Sequence, residues 1–418
     1  MTTAATRTND TATTAAATTT ATMTGATMTA ATAAPPVLGP PAFGLPRQTL
    51  PPSARPGGDA PDRDADGGTA GRRGRRRAGV LAGLATATLV MFVLAVAVGS
   101  VAVPLSETAR VLVGAEPHDP RWTVVIAQVR LPRAVTAALA GAALGAAGLQ
   151  MQTLFRNPLA DPYSLGVSAG ASLGVALVVA GVGGSGATFT AGAAGTGRAG
   201  VIVAGAAGAA VVLVAVLTLA RWVRSVVTLL VIGVVLGAAV SSLVSLLLTW
   251  TSPQRAIQYW TWSLGSFSGT STDDLMVFAP TIGLGLAAGM ASVKPLNALL
   301  LGENYARTAG VRVRWVRTVT LMGTSVLAGT VTAFCGPVAF LGIAVPHIAR
   351  RLLGTSDHRL LLPASVLTGA LVALACSTAA QLPGTGLVLP INVVTSLVGA
   401  PVVIAVLLRA RPAAAGIT

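Results

Sequence analysis

The sequence predicts an all-α membrane protein with about ten transmembrane helices. Hydrophobic residues make up 53% of the chain and charged residues only 10%. Several apolar runs reach the ~20 residues needed to cross ~30 Å of hydrocarbon, whereas a soluble chain has shorter apolar runs and more surface charge. The basic residues lie mostly between these runs. The net charge of +15 therefore indicates orientation in a membrane, with lipid as a partner and no nucleic acid.

The first 71 residues differ in composition from the rest of the chain. They are rich in Thr and Ala, then in Pro and Gly, and they contain few large apolar side chains. Such a segment buries too little surface to offset its chain entropy. The sequence therefore predicts a disordered tail over residues 1–71 and a membrane domain over residues 72–418.

Five arginines in residues 72–77 directly precede the first apolar run. This arrangement imitates a twin-arginine signal with Ala95-Val-Ala97 as its cleavage site. The run is long for a signal core and further spans follow, so a retained first helix is favoured. By the positive-inside rule, the N-terminus is expected in the cytoplasm.

Ten apolar runs define the predicted spans. They are residues 78–103, 134–153, 164–183, 199–220, 226–249, 275–293, 318–335, 337–350, 360–380 and 389–408. Alternation from a cytoplasmic N-terminus places the main arginine clusters in the cytoplasm, and the even number of spans returns the C-terminus there. We therefore expect a multi-pass protein of the cytoplasmic membrane. The division of the 318–350 region at Gly336-Pro337 is the weakest point of this assignment.

Small residues recur at helical spacing inside the spans. Gly141, Gly145 and Gly148 form one such row, which predicts close helix packing in lipid. Cys335 and Cys376 are too few for a disulfide framework, and no Cys/His spacing indicates zinc. The sequence therefore implies no metal site and no cofactor.

Polar and Pro-broken segments flank the second span. Arg130-Leu-Pro-Arg133 precedes it, and residues 156–162, Arg-Asn-Pro-Leu-Ala-Asp-Pro, follow it. Membrane helices tolerate such features mainly where protein or a water-filled cavity satisfies the polar groups. We therefore predict a translocation path or gate here and at a second Pro-broken helix. Its candidate residues are Gln150, Asn157, Pro158, Gly166, Ser168, Gly170, Pro346 and His347.

Two of these candidates have other interpretations. Gly166-Val-Ser-Ala-Gly170 matches the Gly-x-Ser-x-Gly pattern of serine hydrolases, and His347 could complete an intramembrane serine hydrolase that uses Ser168. The pattern opens an apolar helix instead of a strand-turn-helix, so packing of small residues is favoured. His347 could also serve a proton relay or a metal, but a hydrogen-bonded structural histidine is favoured.

The energy source of transport is constrained by two absences from the sequence. No carboxylate lies inside a predicted span, which argues against a carrier driven by protons or sodium. No Gly-x-x-x-x-Gly-Lys-Ser/Thr loop occurs, and the single lysine, Lys294, lies outside any such loop. If ATP drives transport, the ATPase is a separate subunit.

The basic segment after the sixth span, residues 296–310, predicts a short amphipathic helix. Leu299, Glu303, Ala306 and Gly310 fall at helical spacings, and Gly310 is a natural helix end. The apolar side of such a helix fits either a groove on a partner protein or the lipid headgroups. The residues alone do not separate these alternatives.

Taken together, these motifs resemble those of the FecCD permeases, the membrane subunits of type II ABC importers for ferric siderophores, haem and cobalamin. The similarity covers roughly residues 79–409. It includes Arg130-Leu-Pro-Arg133, Gln150 to Gly170, Trp262-Ser-Leu-Gly-Ser266, Leu301 to Gly310, Gly336-Pro-Val-Ala-Phe-Leu-Gly342, Pro346-His-Ile-Ala-Arg350 and Thr395-Ser-Leu-Val-Gly-Ala-Pro401.

The resemblance implies a permease without covalent chemistry, which works by alternating access and pairs with an identical or homologous second permease. It implies two ATP-binding subunits on the cytoplasmic side and a substrate-binding protein outside. Ferric siderophore is the expected substrate, with haem and cobalamin as alternatives. The resemblance assigns docking of the substrate-binding protein, on the outer side, to Arg130 and Arg133. Coupling to the ATPase falls on Leu301, Gly302, Glu303, Ala306, Arg307 and Gly310, which favours the partner groove over lipid.

Four positions depart from the family pattern, and three of them lose a charged residue. The family commonly has an Asp and, five residues later, an Arg, where this chain has Cys376 and Gln381. The family's Glu-Leu-Pro-x-Gly appears here as Val388-Leu-Pro-Ile-Asn392. The charged residues lost are expected near the outer face, so recognition of the binding protein is expected to differ.

Overall fold

A computed structural model of the chain describes residues 63–99, 101, 103–181, 196–223, 225–381 and 388–409. Within these ranges every regular element is a helix. The helices are α1 Arg63–Ala97, α2 Leu105–Leu112, α3 Arg121–Phe155, α4 Val167–Ala180, α5 Thr196–Ala220, α6 Val226–Thr249, α7 Pro253–Ser263, α8 Thr272–Ala291, α9 Val293–Leu300, α10 Glu303–Thr308, α11 Val313–Cys335, α12 Leu341–Leu353, α13 His358–Ala380 and α14 Ile391–Arg409.

Each of the ten predicted spans coincides with a helix, which confirms the all-α membrane fold. Among the described residues, seven helices are long and apolar enough to cross a membrane, and Val167–Ala180 and Ile391–Ala405 are shorter apolar helices. The predicted span 337–350 differs from α12, which begins at Leu341, has 13 residues and carries Arg350 and Arg351 in its last turn. At 1.5 Å per residue it is only about 20 Å long.

Helix α1 differs from the predicted first span at both ends. It begins at Arg63, so residues 63–71, which were assigned to the tail, are helical. It ends at Ala97, six residues before the predicted limit. The arginines of residues 72–77 therefore lie on the helix itself. The rest of the predicted tail, residues 1–62, lies outside the described residues.

Helix α3 is the most deeply buried membrane helix that the structure describes, and its glycines explain how. A Cβ atom on Gly141 would lie 2.1 Å from the carbonyl oxygen of Gly369 on α13. On Gly148 it would lie 1.9 Å from the carbonyl oxygen of Gly342 on α12. Only glycine lets these backbones touch, which is how helices gain van der Waals contact in lipid. The predicted packing row is confirmed.

The break between α11 and α12 falls at Gly336, as the sequence predicted. Gly336 has a φ of +75°, and a Cβ atom there would lie 2.5 Å from the carbonyl oxygen of Trp262. The side-chain oxygen of Asn392 accepts the N–H of Ala339 at 3.0 Å. The start of α14 therefore holds the broken segment in place.

Candidate functional site

Two buried arginines hold the end of α1. Arg130 donates to the carbonyl oxygens of Val96 at 3.2 Å and Ala97 at 2.6 Å, and also to that of Val101. Arg133 donates to the carbonyl oxygen of Ala95 at 3.1 Å. The last carbonyls of a helix lack intrahelical partners and carry partial negative charge, so guanidinium groups stabilise them.

This geometry differs from the exposed position that the docking prediction implied. Arg130 is 2% exposed and Arg133 is 4% exposed. The close approach of Arg130 also requires a glycine at position 99, where a Cβ atom would lie 3.1 Å from its Nε. The docking role of both arginines stays a prediction, whereas their hold on α1 is a feature of the fold.

Cys376, one of the residues that stand where the family resemblance implies a charged group, lies near this cluster. The contacts of Gly141 with Gly369 and of Gly145 with Ser365 fix an antiparallel register between α3 and α13. Continued along both helices, this register places Cys376 at the level of Ala134, next to Arg133. Gln381 is also buried, whereas Val388 is 55% exposed.

The Nε atom of Arg133 has no hydrogen-bond partner and is buried. An unpaired buried polar atom costs free energy. Among the described residues, the hydrogen bonds of the Arg133 guanidinium group go to the backbone carbonyl oxygens of Ala95 and Val98.

The predicted path residues around α3 have structural contacts. The side chain of Gln150 is buried, donates to the carbonyl oxygen of Ala146 at 3.2 Å and packs against Gly289 of α8. Asn157 accepts the N–H of Leu159 at 2.9 Å, which shapes the turn after α3, and Pro158 is exposed in that turn. The path role of these residues stays a prediction.

Gly166, Ser168 and Gly170 lie where α4 begins. Gly166 has a φ of +76°, and a Cβ atom there would lie 3.1 Å from Gly237 of α6. A Cβ atom on Gly170 would lie 2.5 Å from the carbonyl oxygen of Gly208 on α5. The glycines of the hydrolase-like pattern therefore serve helix packing, and Ser168 is half-buried between them.

Pro346 and His347 lie inside α12. Pro346 is buried and His347 is half-buried. A ring nitrogen of His347, Nδ1, lies 2.8 Å from the carbonyl oxygen of Ile343 one turn earlier. This contact is that of a hydrogen-bonded structural histidine, the alternative favoured by the sequence.

The predicted amphipathic segment consists of two short helices, α9 and α10, instead of one. Leu301 and Gly302 separate them, and Gly302 has a φ of +119°, which L side chains rarely adopt. Helix α10 ends in a Schellman motif: Gly310 N–H donates to the carbonyl oxygen of Arg307 at 3.0 Å, and Val311 N–H donates to that of Ala306 at 2.9 Å. Gly310 therefore ends the helix as predicted.

The predicted coupling residues divide into an outer and an inner set. Leu301 is 68% exposed, and Glu303 accepts from Arg307 at 2.6 Å along the surface of α10. Ala306 is fully buried within the chain and packs in the core with α9 and α11. Leu301 and Tyr305, which is 55% exposed, are the exposed apolar side chains here, while Ala306 holds α10 against the core; the coupling role of this segment stays a prediction.

A buried polar network joins the helices at this end, and sequence reasoning missed it. His358, the first residue of α13, places Nε2 at 2.8 Å from Thr153 Oγ1 on α3 and Nδ1 at 2.9 Å from Asn297 Oδ1 on α9. Asn297 also donates to Asp357 Oδ1 at 2.6 Å. The Thr153 hydroxyl also donates to the carbonyl oxygen of Leu149 at 2.9 Å, so its one proton is shared between this carbonyl and Nε2 when a neutral imidazole donates Nδ1–H to Asn297.

The network extends to α12 through a second pair. Arg350 donates to Gln152 Oε1 at 2.7 Å, and Gln152 donates in turn to the carbonyl oxygen of Ile343 at 3.2 Å. The only sequence signal for these residues was their polarity within or beside apolar runs. Together the two groups connect α9 with α3, α12 and α13.

Asp161 is a further residue that the sequence left without a role. Its carboxylate accepts the N–H of Tyr163 at 2.8 Å, in the turn between α3 and α4. Burial raises the pKa of Asp161, and the hydrogen bond from Tyr163 opposes this shift only in part. Gly342 of α12 leaves room for this carboxylate, since a Cβ atom there would lie 3.0 Å from Asp161 Oδ2.

Comparison with known proteins identifies the family to which this chain belongs. A family model described as the FecCD transport family matches residues 87–409. The chain belongs to the FecCD transport family. It is a multi-pass ABC importer permease, a transport subunit and not an enzyme. The hydrolase alternative for Ser168 is therefore not supported.

Relatives within the FecCD family cover most of the chain. The uncharacterized ABC transporter permease protein YvrB of Bacillus subtilis (strain 168) is 35% identical over 337 residues, 77% of this chain and 90% of its own length. The hemin transport system permease protein HmuU of Yersinia pestis is 32% identical over 313 residues, 75% and 91% of the two chains. The vitamin B12 import system permease protein BtuC of Escherichia coli O9:H4 (strain HS) is 37% identical over 298 residues, which are 70% of this chain and 86% of its own length.

A solved structure agrees with the FecCD assignment. It shows an inward-facing conformation of an ABC transporter described as metal-chelate type. The similarity has a TM-score of 0.68 and 28% sequence identity, and it covers 79% of this chain and 99% of that one.

Proposed function

We propose that this permease translocates a ferric siderophore across the cytoplasmic membrane by alternating access. Binding and hydrolysis of ATP in separate partner subunits drive the change, and the chain pairs with a second, identical or homologous permease. An extracytoplasmic binding protein delivers the substrate. The charge bias of the loops supports cytoplasmic termini, because the arginine-rich segments then share the inner side.

The observation that carries this proposal is the α9–α10 unit at the end of α8. This unit exposes Leu301, between its two helices, and Tyr305, on the six-residue helix α10, and it is tied to α13 through Asn297. A partner that shifts α9 therefore acts directly on the packed core. This arrangement supports a coupling role for the α9–α10 unit.

Haem and cobalamin are the alternative substrates, because two of the relatives are named for hemin and vitamin B12 transport. All three candidates are bulky chelates of one metal ion. A path between Ala- and Gly-rich helices suits a large substrate that is handled by shape and weak contacts rather than by a charged pocket.

Uptake in a strain that lacks this chain's gene tests the proposal. Radiolabelled ferric siderophores, haem and cobalamin are supplied separately, and the gene is restored on a plasmid. We expect restored uptake of at least one ferric siderophore and no change for the other two. Restored uptake of haem or cobalamin alone would replace the siderophore proposal, and restored uptake of none would contradict both.

A further inference from the structure

A cationic cavity opens beside α10, at the same end of the bundle as the coupling unit. Its volume is about 630 Å³, and it lies between the ends of α5 and α11. Four arginines line it: Arg221, Arg307, Arg314 and Arg317. Glu303 is the one carboxylate among the described lining residues, and it is paired with Arg307 at 2.6 Å. The cavity therefore carries a net positive charge of about three and suits an anion.

The cavity wall becomes apolar toward the interior of the membrane domain. Leu217 lies one turn from Arg221 on α5, and Met322 lies one turn beyond Thr318 on α11. Met322 is 47% exposed, so this side of the cavity is open. A ligand that fits must combine a negative head with an apolar body.

An open groove continues from this wall between the same two helices. Its volume is about 190 Å³, and Ala206, Ala210 and Leu213 of α5 line it opposite Val326 and Gly329 of α11. Small side chains leave this groove (the lane) unfilled. Both α5 and α11 are long and apolar enough to cross a membrane. An extended hydrocarbon chain fits such a lane and would restore its missing van der Waals contacts.

We propose that this cavity and groove together bind one anionic phospholipid. Its phosphate lies against the exposed Arg221 and Arg314, and one acyl chain runs along the lane between α5 and α11. Basic pockets between membrane helices are suited to anionic headgroups. The apolar lane favours a membrane lipid over a free phosphate or an acidic segment of a partner protein, which would need only the charged mouth. The site is additional to the proposed transport function.

Native mass spectrometry of the full-length, delipidated protein in detergent tests the site. Phosphatidylglycerol and phosphatidylcholine with identical acyl chains are titrated separately, with inorganic phosphate as competitor. We expect preferential retention of phosphatidylglycerol, with no displacement by millimolar phosphate. Equal retention of both lipids, or displacement by phosphate alone, would overturn the proposal.

Two variants test separately the binding of the lipid headgroup by the arginines and of the acyl chain by the groove between α5 and α11. The double variant Arg221→Ala/Arg314→Ala should weaken binding of phosphatidylglycerol about 25-fold, since each arginine near an anionic headgroup contributes about fivefold. Its matched control is Arg351→Ala/Arg359→Ala, which removes two exposed arginines outside the cavity lining. Ala210→Leu should fill the lane and weaken both lipids, whereas Ala207→Leu, on an exposed position outside the lining, should not.

Association with the ATPase subunit is the third measurement. If the arginine pair variant loses the ATPase but retains phosphatidylglycerol at the parent affinity, the cavity serves an acidic partner and the lipid proposal fails. Unchanged lipid affinity in both Arg221→Ala/Arg314→Ala and Ala210→Leu contradicts it equally.

Discussion

His358 Nε2 lies 2.8 Å from Thr153 Oγ1, so the first residue of α13 is joined to the inner part of α3. The other ring nitrogen meets Asn297 of α9. One imidazole therefore connects the α9–α10 unit to α3 and α13, two helices whose backbones touch at Gly141 and Gly369. Any movement of α9 imposed by a partner has a direct mechanical path to α3.

Replacing Asn297 with Ala should destabilise the protein. The change removes the acceptor of the His358 backbone and ring contacts and the donor to Asp357. Loss of buried partners costs about 1–3 kcal/mol. The thermal midpoint in detergent measures the effect, and Asn304→Ala, an exposed change on α10, is the control. An unchanged midpoint for Asn297→Ala would show that the network adds nothing to stability.

Acidification should weaken the start of α13. The backbone N–H of Arg359, followed by the Asn297 side chain, holds the pKa of Asp357 below its usual value. A depressed folded-state pKa stabilises the protein above the unfolded value of about 3.9 and is lost as the pH falls through the folded value. Between about pH 5 and pH 3, the parent should therefore lose more stability than Asp357→Asn. Parallel losses in the two proteins would refute this assignment.

Gly148→Ala should disrupt the contact of α3 with α12. A Cβ atom there would lie 1.9 Å from the carbonyl oxygen of Gly342, so the helices must separate. We expect a loss of about 1–3 kcal/mol, typical of overpacked cores. Gly283→Ala on α8 meets no atom within 4 Å and is the matched control. Alanine favours helix by up to about 1 kcal/mol, so this control should be neutral or stabilising.

Cys376→Asp should form an ion pair with Arg133. The register between α3 and α13 brings the new carboxylate to the level of the guanidinium group, whose Nε is unpaired. A double-mutant cycle with Arg133→Gln should give a coupling free energy of about 1–3 kcal/mol. Cys376→Asn, which has the same shape without charge, is the control. A coupling near zero would show that the two side chains do not meet.

Leu301→Asp/Tyr305→Asp should weaken ATPase docking at least tenfold. Both side chains are exposed on the α9–α10 unit, and the change removes apolar contact without touching buried Ala306. Co-purification with the ATPase subunit and uptake both measure the effect, at matched membrane levels. Trp222→Asp changes an 80% exposed apolar residue outside α9 and α10 and should retain docking. Loss of docking in that control as well would show that the effect is not specific to the surface of the α9–α10 unit.

The length of the apolar runs was sufficient to predict the long membrane helices, because each membrane helix must satisfy its own backbone, whereas α2 and α7, which are short, were not predicted. The glycine row of α3 was also predictable, because small residues at helical spacing in a membrane helix indicate close helix packing. Gly310 and Gly336 ended helices as expected, because their positive φ values suit glycine.

The side-chain geometry was not predictable in this way. Amphipathic spacing put Ala306 on the contact face of one helix, but the break at Gly302 turned that residue inward. Arg130 and Arg133 were expected on the outer surface as a docking site, which stays a prediction, and their hydrogen bonds to the carbonyl oxygens of α1 had no signal in the sequence. The His358 network joins residues 153, 297 and 358, and no local pattern shows that such distant positions meet.

The glycine row of α3 also limits how this helix can change in length. Gly141 and Gly148 touch backbone on two different helices, α13 and α12. A single inserted residue rotates everything beyond it by about 100° and advances it by 1.5 Å, which would aim side chains at both neighbouring backbones at once. Loops elsewhere in the chain can gain or lose residues at little cost, but the segment between these two glycines has a fixed number of residues.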